Sequence, residues 1–115
     1  MIEQNNTFIG NAASSPEQVQ DKQVWNLRVI QNIYAGKNDR DEAQYRDVAI
    51  NFVAFGKTGE RLAKIIMTGD QVIINFVIEN NDYEKDGKKI YGYRFRILDF
   101  KPGAPGKEKR ASTPQ

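Results

Sequence analysis

The chain contains no cysteine and no histidine. Without cysteine there is no disulfide framework and no thiolate metal site. Without histidine the commonest general base and the commonest metal ligand are both missing. Catalysis would have to rest on carboxylates or lysines, and nothing in the chain sets a nucleophile beside a base. An enzyme is therefore not expected, and no cofactor or metal site is implied. Long apolar runs are also missing: none approaches the ~20 residues that cross a bilayer. The opening stretch, MIEQNNTFIG, lacks the basic start and apolar region of a signal peptide. The expectation is a soluble, cytoplasmic, nucleoid-associated protein with no membrane partner.

What is present fits one domain. At 115 residues there is room for a single core. The hydrophobic fraction is 39%, and the apolar-poor stretches lie at the two ends. The net charge of +2 also has an address. From Lys101 onward there are four basic residues, Lys101, Lys107, Lys109 and Arg110, against Glu108 alone; removing them from totals of 17 and 15 leaves 13 basic and 14 acidic residues. The body is thus close to neutral, and any basic surface on it must be local.

The organising stretch is Asp47 to Glu79. Val48–Phe55 is rich in β-branched and aromatic residues, as a half-buried strand requires. Gly56 ends that run, and from Thr58 the period changes: Leu62, Ile65 and Ile66 fall at helical spacing, with Gly69 as a stop. Val72, Ile74, Phe76 and Ile78 then alternate with a period of two. Upstream, Phe8–Gly10 reads as a short strand, Asn11–Lys22 as a connection and Val24–Ile33 as a long strand. Trp25, Leu27, Val29 and Ile33 share one face, and Asn26, Arg28 and Asn32 the other. Gly36–Gln44 reads as a charged loop, and Tyr45–Phe55 as the next strand, with Ile50, Phe52 and Ala54 opposite in parity to Ala49, Asn51, Val53 and Phe55. After Glu79, Asp86-Gly87 marks a tight turn in an extended hairpin. The return arm alternates Tyr91, Tyr93, Phe95 and Ile97 with Gly92, Arg94, Arg96 and Leu98. The expected division is a domain over 1–100 and a flexible, basic, Pro/Gly-containing tail over 101–115.

Five strands with one helix between the third and fourth is the layout of an all-β OB-fold, a five-stranded Greek-key barrel that binds oligonucleotides or oligosaccharides. Two other patterns are dismissed. Gly56-Lys57-Thr58 lacks the earlier glycine of a phosphate-binding loop, since Asn51 stands there. Asp39, Asp41 and Glu42 surround Arg40 in the charged loop and read as a solvated cluster.

Across Phe8 to Leu98 the chain resembles the bacterial single-stranded DNA-binding protein family. The resemblance rests on FIGN (Phe8–Asn11) followed by Pro16-Glu17, on WNLRV (Trp25–Val29), and most sharply on FGK (Phe55–Lys57) opening the helix. GDQV (Gly69–Val72), Tyr83 and the Asp86-Gly87 turn follow at the family's spacing. The resemblance implies sequence-tolerant binding of single-stranded DNA in replication, recombination or repair, with bases stacked on aromatic side chains. Phe55 stands at the family's stacking phenylalanine and Tyr83 at a stacking tryptophan. Ala49 and Ala35 fall where two further tryptophans occur, with Tyr34 beside the second as a substitute. Arg28, Lys57, Lys85, Arg94 and Arg96 are the cations expected to meet phosphates, while Glu79, Asp82, Glu84 and Asp86 offset them. Trp25, the single tryptophan, is expected in the core. The family also implies a homo-oligomer, a tetramer first and a dimer second. It carries an acidic tip that recruits partners, whereas this chain ends KEKRASTPQ, which implies a shortened chain or a relative that binds DNA without that recruitment. The alternatives are an OB-fold replication-restart or RNA-binding factor, or a protein-interaction module.

Overall fold

Alternating apolar and polar residues over Val24–Phe55 and Gln71–Phe100 dictate strands with one buried face, and the computed structural model, which describes residues 4–106, has them. The chain order is β1 (Asn6–Ala12), β2 (Glu17–Gln18), β3 (Val24–Lys37), β4 (Ala43–Phe55), α1 (Gly56–Ile65), β5 (Gln71–Asn80), β6 (Tyr83–Lys85), β7 (Lys88–Ile90) and β8 (Tyr93–Pro102). Five of these strands close into a barrel in the circular order β1–β5–β8–β4–β3. The ring shuts at two short contacts: β1 meets β3 at Asn11–Ile30 and Ala12–Val29, and β4 runs parallel to β8 at Phe52–Phe95 and Val53–Arg96. Gly10 permits the first, because a Cβ there would lie 2.6 Å from the Ile30 carbonyl oxygen. The helix lies between the third and fourth barrel strands, so the expected OB-fold holds.

The inward residues build one core. Leu27 and Val29 from β3, Phe52 and Ala54 from β4, Val72, Ile74 and Phe76 from β5, and Ile97 and Phe100 from β8 are buried together with Leu62 and Ile66. Phe52 is its centre, with Phe76 and Phe8 at ring-centroid distances of 5.1 and 5.8 Å in tilted or edge-on geometry, the arrangement aromatic quadrupoles favour. Trp25 is buried, as expected, beneath the helix. Gly59 makes that possible: a Cβ on it would fall 2.2 Å from the indole ring.

Several boundaries move. The long strands reach past the barrel, β3 to Lys37 and β4 back to Ala43, so the expected Gly36–Gln44 loop shrinks to residues 38–42. Asn38 closes that turn, its Oδ1 accepting the N–H groups of Arg40 and Glu42 at 2.9 and 3.0 Å, a side-chain substitute for backbone pairing. The helix begins at Gly56 and ends at Ile65, ahead of Gly69, since Ile66 is already extended. The expected connection over Asn11–Lys22 contains the two-residue β2, paired with Trp25 and Asn26. The Asp86-Gly87 turn stands, with both residues at positive φ as the tightest hairpin turn demands, but it joins two three-residue strands that form a separate sheet.

Ordered pairing also runs past the expected domain boundary at residue 100. β8 runs through Lys101 and Pro102, which pair with Ile73 and Val72. Beyond it, the Gln71 N–H donates to the Ala104 carbonyl at 2.9 Å, and buried Asp70 accepts the Gly106 N–H at 2.6 Å. The remainder of the expected tail, 107–115, lies outside the described residues.

Candidate nucleic-acid interface

β3 and β4 pair in continuous register from Val24–Phe55 to Tyr34–Tyr45. Alternate pairs in such a ladder face the same way. The inward set supplies the core, and the outward set is Val24–Phe55, Asn26–Val53, Arg28–Asn51, Ile30–Ala49, Asn32–Asp47 and Tyr34–Tyr45. At about 3.3 Å per residue, the run from Tyr45 to Phe55 is about 33 Å long. Cross-strand contacts hold it. Arg28 Nη1 donates to Asn51 Oδ1 at 3.3 Å, Asn32 Nδ2 donates to Asp47 Oδ1 at 2.8 Å, and the Tyr34 and Tyr45 rings meet edge-on at 5.9 Å.

The same face continues across the sheet. Val53 is level with Arg96 on β8, and Arg94 stands opposite Glu79 on β5. Phe55, 36% exposed, marks the corner where β4 gives way to the helix. The Arg94 guanidinium lies 5.2 Å from the centre of its ring, within cation–π range. Phe55, Asn26, Asn51, Val53, Tyr93 and Arg94 line one groove, with Asn81 at its hairpin side. An adjoining depression shares Asn26 and Asn51 and adds Ser14, Glu17 and Arg28.

The sequence-expected residues therefore divide into groups. Phe55, Arg28, Arg94 and Arg96 come together on the outer face. Tyr34, more than half exposed, belongs to the same face at the far end of the β3–β4 arm. Tyr83 and Lys85 stand apart on the β6–β7 hairpin, opposite Ile90 and Lys88, and both are exposed. Lys57 is exposed in the first turn of the helix, two residues past Phe55, and does not line the groove. Ala49 is exposed on the outward row, opposite Ile30.

Four contributors escaped the reading of the chain as binding residues. Asn26 and Asn51 were detectable by parity alone, since both share the row of Arg28 and Phe55. Tyr45 could be found only once β3 and β4 were known to pair beyond the barrel. Tyr93, 69% exposed, joins Phe55 through the way β8 enters beside β4, which no local pattern encodes.

The electrostatics are mixed rather than uniformly basic. Arg94 and Arg96 each donate an Nε–H to a separate oxygen of Glu79, at 2.8 and 2.6 Å. These two bonds hold the Glu79 carboxyl below its usual range, so it is anionic at neutral pH. Asp82 lies 3.8 Å from Lys89, and Lys89 sits over the Tyr91 ring at 5.2 Å. Among the described residues no group of three or more metal-ligating side chains converges, and no helix is long and apolar enough to cross a membrane.

Comparison with known proteins bears on the fold and on part of the chain. No protein-family model matches. A curated single-stranded DNA-binding protein of Fusobacterium nucleatum subsp. nucleatum is 41% identical over 44 residues, which is 38% of this chain and 29% of that protein's length. In fold, the single-stranded DNA-binding protein of Thermus aquaticus superposes with a TM-score of 0.67 at 16% identity, over 86% of this chain and 50% of that one. The small single-stranded DNA-binding protein of Streptomyces coelicolor gives 0.63 at 12% identity over 90% and 96%. A Plasmodium falciparum protein of the same kind, solved in complex with single-stranded DNA, gives 0.64 at 11% over 89% and 96%.

The chain carries the OB-fold of single-stranded DNA-binding proteins. The resemblance to that bacterial family, expected from FGK and GDQV, thus holds twice, in sequence over one segment and in fold over the barrel. The outer face of that barrel carries exposed aromatics, Phe55, Tyr34, Tyr45 and Tyr93, together with Arg28, Arg94 and Arg96.

Proposed function

We propose that this protein is a non-enzymatic, sequence-tolerant binder of single-stranded DNA. The observation that carries the reading is the outer groove itself, where an exposed aromatic, Phe55, lies among Arg94, Asn26, Asn51 and Tyr93 on a rigid barrel wall. An aromatic ring offers a stacking platform to any base, because every base has a π-face, and arginines beside it meet the backbone. Phe55 is the first platform, Tyr34 with Tyr45 the second, and Tyr83 on the hairpin the third. Arg28, Arg94 and Arg96 neutralise phosphates along the face, with Lys57 and Lys85 at its margins. Ala49 leaves a bare stretch between the platforms, so the affinity per nucleotide is lower than on a face with an aromatic there. The named relatives all bind single-stranded DNA, and they support the same reading. It extends to a role in DNA replication, recombination or repair in the bacterial cytoplasm, and to a homo-oligomer, most simply a tetramer.

Fluorescence anisotropy with labelled single-stranded DNA, duplex DNA and RNA oligomers of equal length, at two salt concentrations, tests it. The expected result is preferential binding of single-stranded DNA, weakening as salt rises. Equal affinity for duplex would overturn the reading, and a preference for RNA would move the protein to the RNA-binding alternative.

A further inference from the structure

An acid stands in the middle of a face that is to receive a polyanion. Glu79 is directly opposite Arg94 across the β5–β8 ladder and diagonal to Arg96. Each of its carboxylate oxygens accepts one Nε–H, from Arg94 at 2.8 Å and from Arg96 at 2.6 Å. Two oxygens shared between two guanidiniums is also how the non-bridging oxygens of a phosphodiester are held, since both are planar-fork targets of arginine. Arg94 is at the same time the cation lying over Phe55. The three side chains are a quarter to two-fifths exposed, so the ion pairs contribute little to folding, and stability gives a weak account of why the acid is there.

We infer that Arg94 and Arg96 form an anion site whose resident in the free protein is the Glu79 carboxylate, and that a phosphodiester of the bound strand takes its place. The inference rests on the single-stranded DNA reading above. Charge decides the direction of the effect. With Glu79 ionised the trio carries one net positive charge; without it, two. A phosphate arriving at the occupied site meets a carboxylate already holding both Nε–H groups, and like charges at such spacing repel. A purely positioning role for Glu79 has the opposite sign, because removing it would let the two guanidiniums wander. Arg94 keeps a second anchor on the Phe55 ring, which limits that loss. Glu79 therefore acts as an attenuator, keeping the face from capturing polyanions indiscriminately and making binding depend on the aromatic contacts.

The test is Glu79→Gln, close in shape and neutral, with Glu79→Ala as a second variant and circular dichroism melting as the check on folding. Binding to an oligo-thymidylate is followed from low to moderate salt. Both variants are expected to bind roughly 5- to 10-fold more tightly at low salt. The plot of log affinity against log salt is expected to steepen by about 0.7, because the displaced carboxylate of the unaltered protein offsets the charge of one neutralised phosphate and the neutral variants carry no such offset. Arg94→Gln and Arg96→Gln are each expected to cost more in the Glu79→Gln background than in the unaltered protein. Weaker binding by the folded variants, or an unchanged salt slope, would overturn the inference while leaving single-stranded DNA binding intact. If the unaltered protein and all variants bind single strands no better than duplex, it is the function itself that fails, and the inference with it.

Discussion

Phe52 and Phe55 sit three residues apart on β4 and face opposite ways. Phe52 is 1% exposed, with Phe8, Phe76 and Phe95 around it at 5.8, 5.1 and 6.3 Å. Phe55 stands on the outer wall with a guanidinium for a neighbour. The same side chain thus holds the barrel shut at one position and is offered to solvent at the other, and the odd spacing along a strand of period two is the whole cause. What a phenylalanine does here is decided by parity.

That contrast is open to direct attack. Phe52→Ala removes the centre of the aromatic cluster and leaves a cavity no neighbour can fill without moving a strand. The expected loss is about 3–5 kcal/mol of folding stability, measured by urea unfolding, and for a domain of this size it leaves little folded protein. Phe55→Ala is expected to spare most of the stability and to cost about 1–3 kcal/mol of binding free energy, the worth of one stacked base. If Phe55→Ala unfolds the protein as Phe52→Ala does, the outer wall is structural and the groove is not a binding surface.

A milder comparison sets the two projecting arms against each other. The β3–β4 arm continues the barrel sheet, is paired out to Lys37–Ala43, and carries cross-strand polar and aromatic contacts. The β6–β7 hairpin is three pairs long, in its own sheet, with nearly every residue exposed. Short isolated hairpins are marginal in water. A platform held ready costs less to engage than one ordered on binding, so Tyr34→Ala is expected to weaken binding more than Tyr83→Ala. Both effects should be below that of Phe55→Ala. The reverse order in an anisotropy titration would make the hairpin the better organised arm.

How much of this was legible in the residues alone follows from whether the cause is local. The inner row of Leu27, Val29, Phe52, Val72 and Ile74 announced itself, because burial imposes alternation on each strand separately. The helix is visible from the change of period at Leu62, although that periodicity begins at Thr58, two residues inside the helix that Gly56 opens. The arm was hidden: GKNDRDEAQ has the composition of a loop, and only the pairing of Tyr34 with Tyr45 turns its ends into strand. Glu79 could be counted as an acid on the hairpin side but not matched to its partners. That match depends on the register of β5 against β8, which shifts at Asn75–Phe76 through an irregularity that no sequence pattern marks.

The smallest expected effect concerns where the body ends. Composition places the boundary at Lys101, yet Lys101 and Pro102 extend β8, Gly103 and Ala104 are tied to Gln71 by backbone bonds, and the Gly106 N–H donates to the Asp70 carboxylate. Cutting at residue 101 would remove those pairs and take the Gly106 N–H away from one oxygen of a buried aspartate, confusing a loss of charge with a loss of structure. Removing 107–115 instead takes away Lys107, Lys109 and Arg110 with Glu108, a net change of two positive charges. Solvent-exposed charges act on a bound strand only over about a Debye length, roughly 10 Å at 0.1 M salt. The shortened chain is expected to melt unchanged, to bind slightly less tightly at low salt, and to match the full chain once salt screens the difference. A difference that persisted at high salt would mean that those nine residues make contacts with the strand that are not electrostatic.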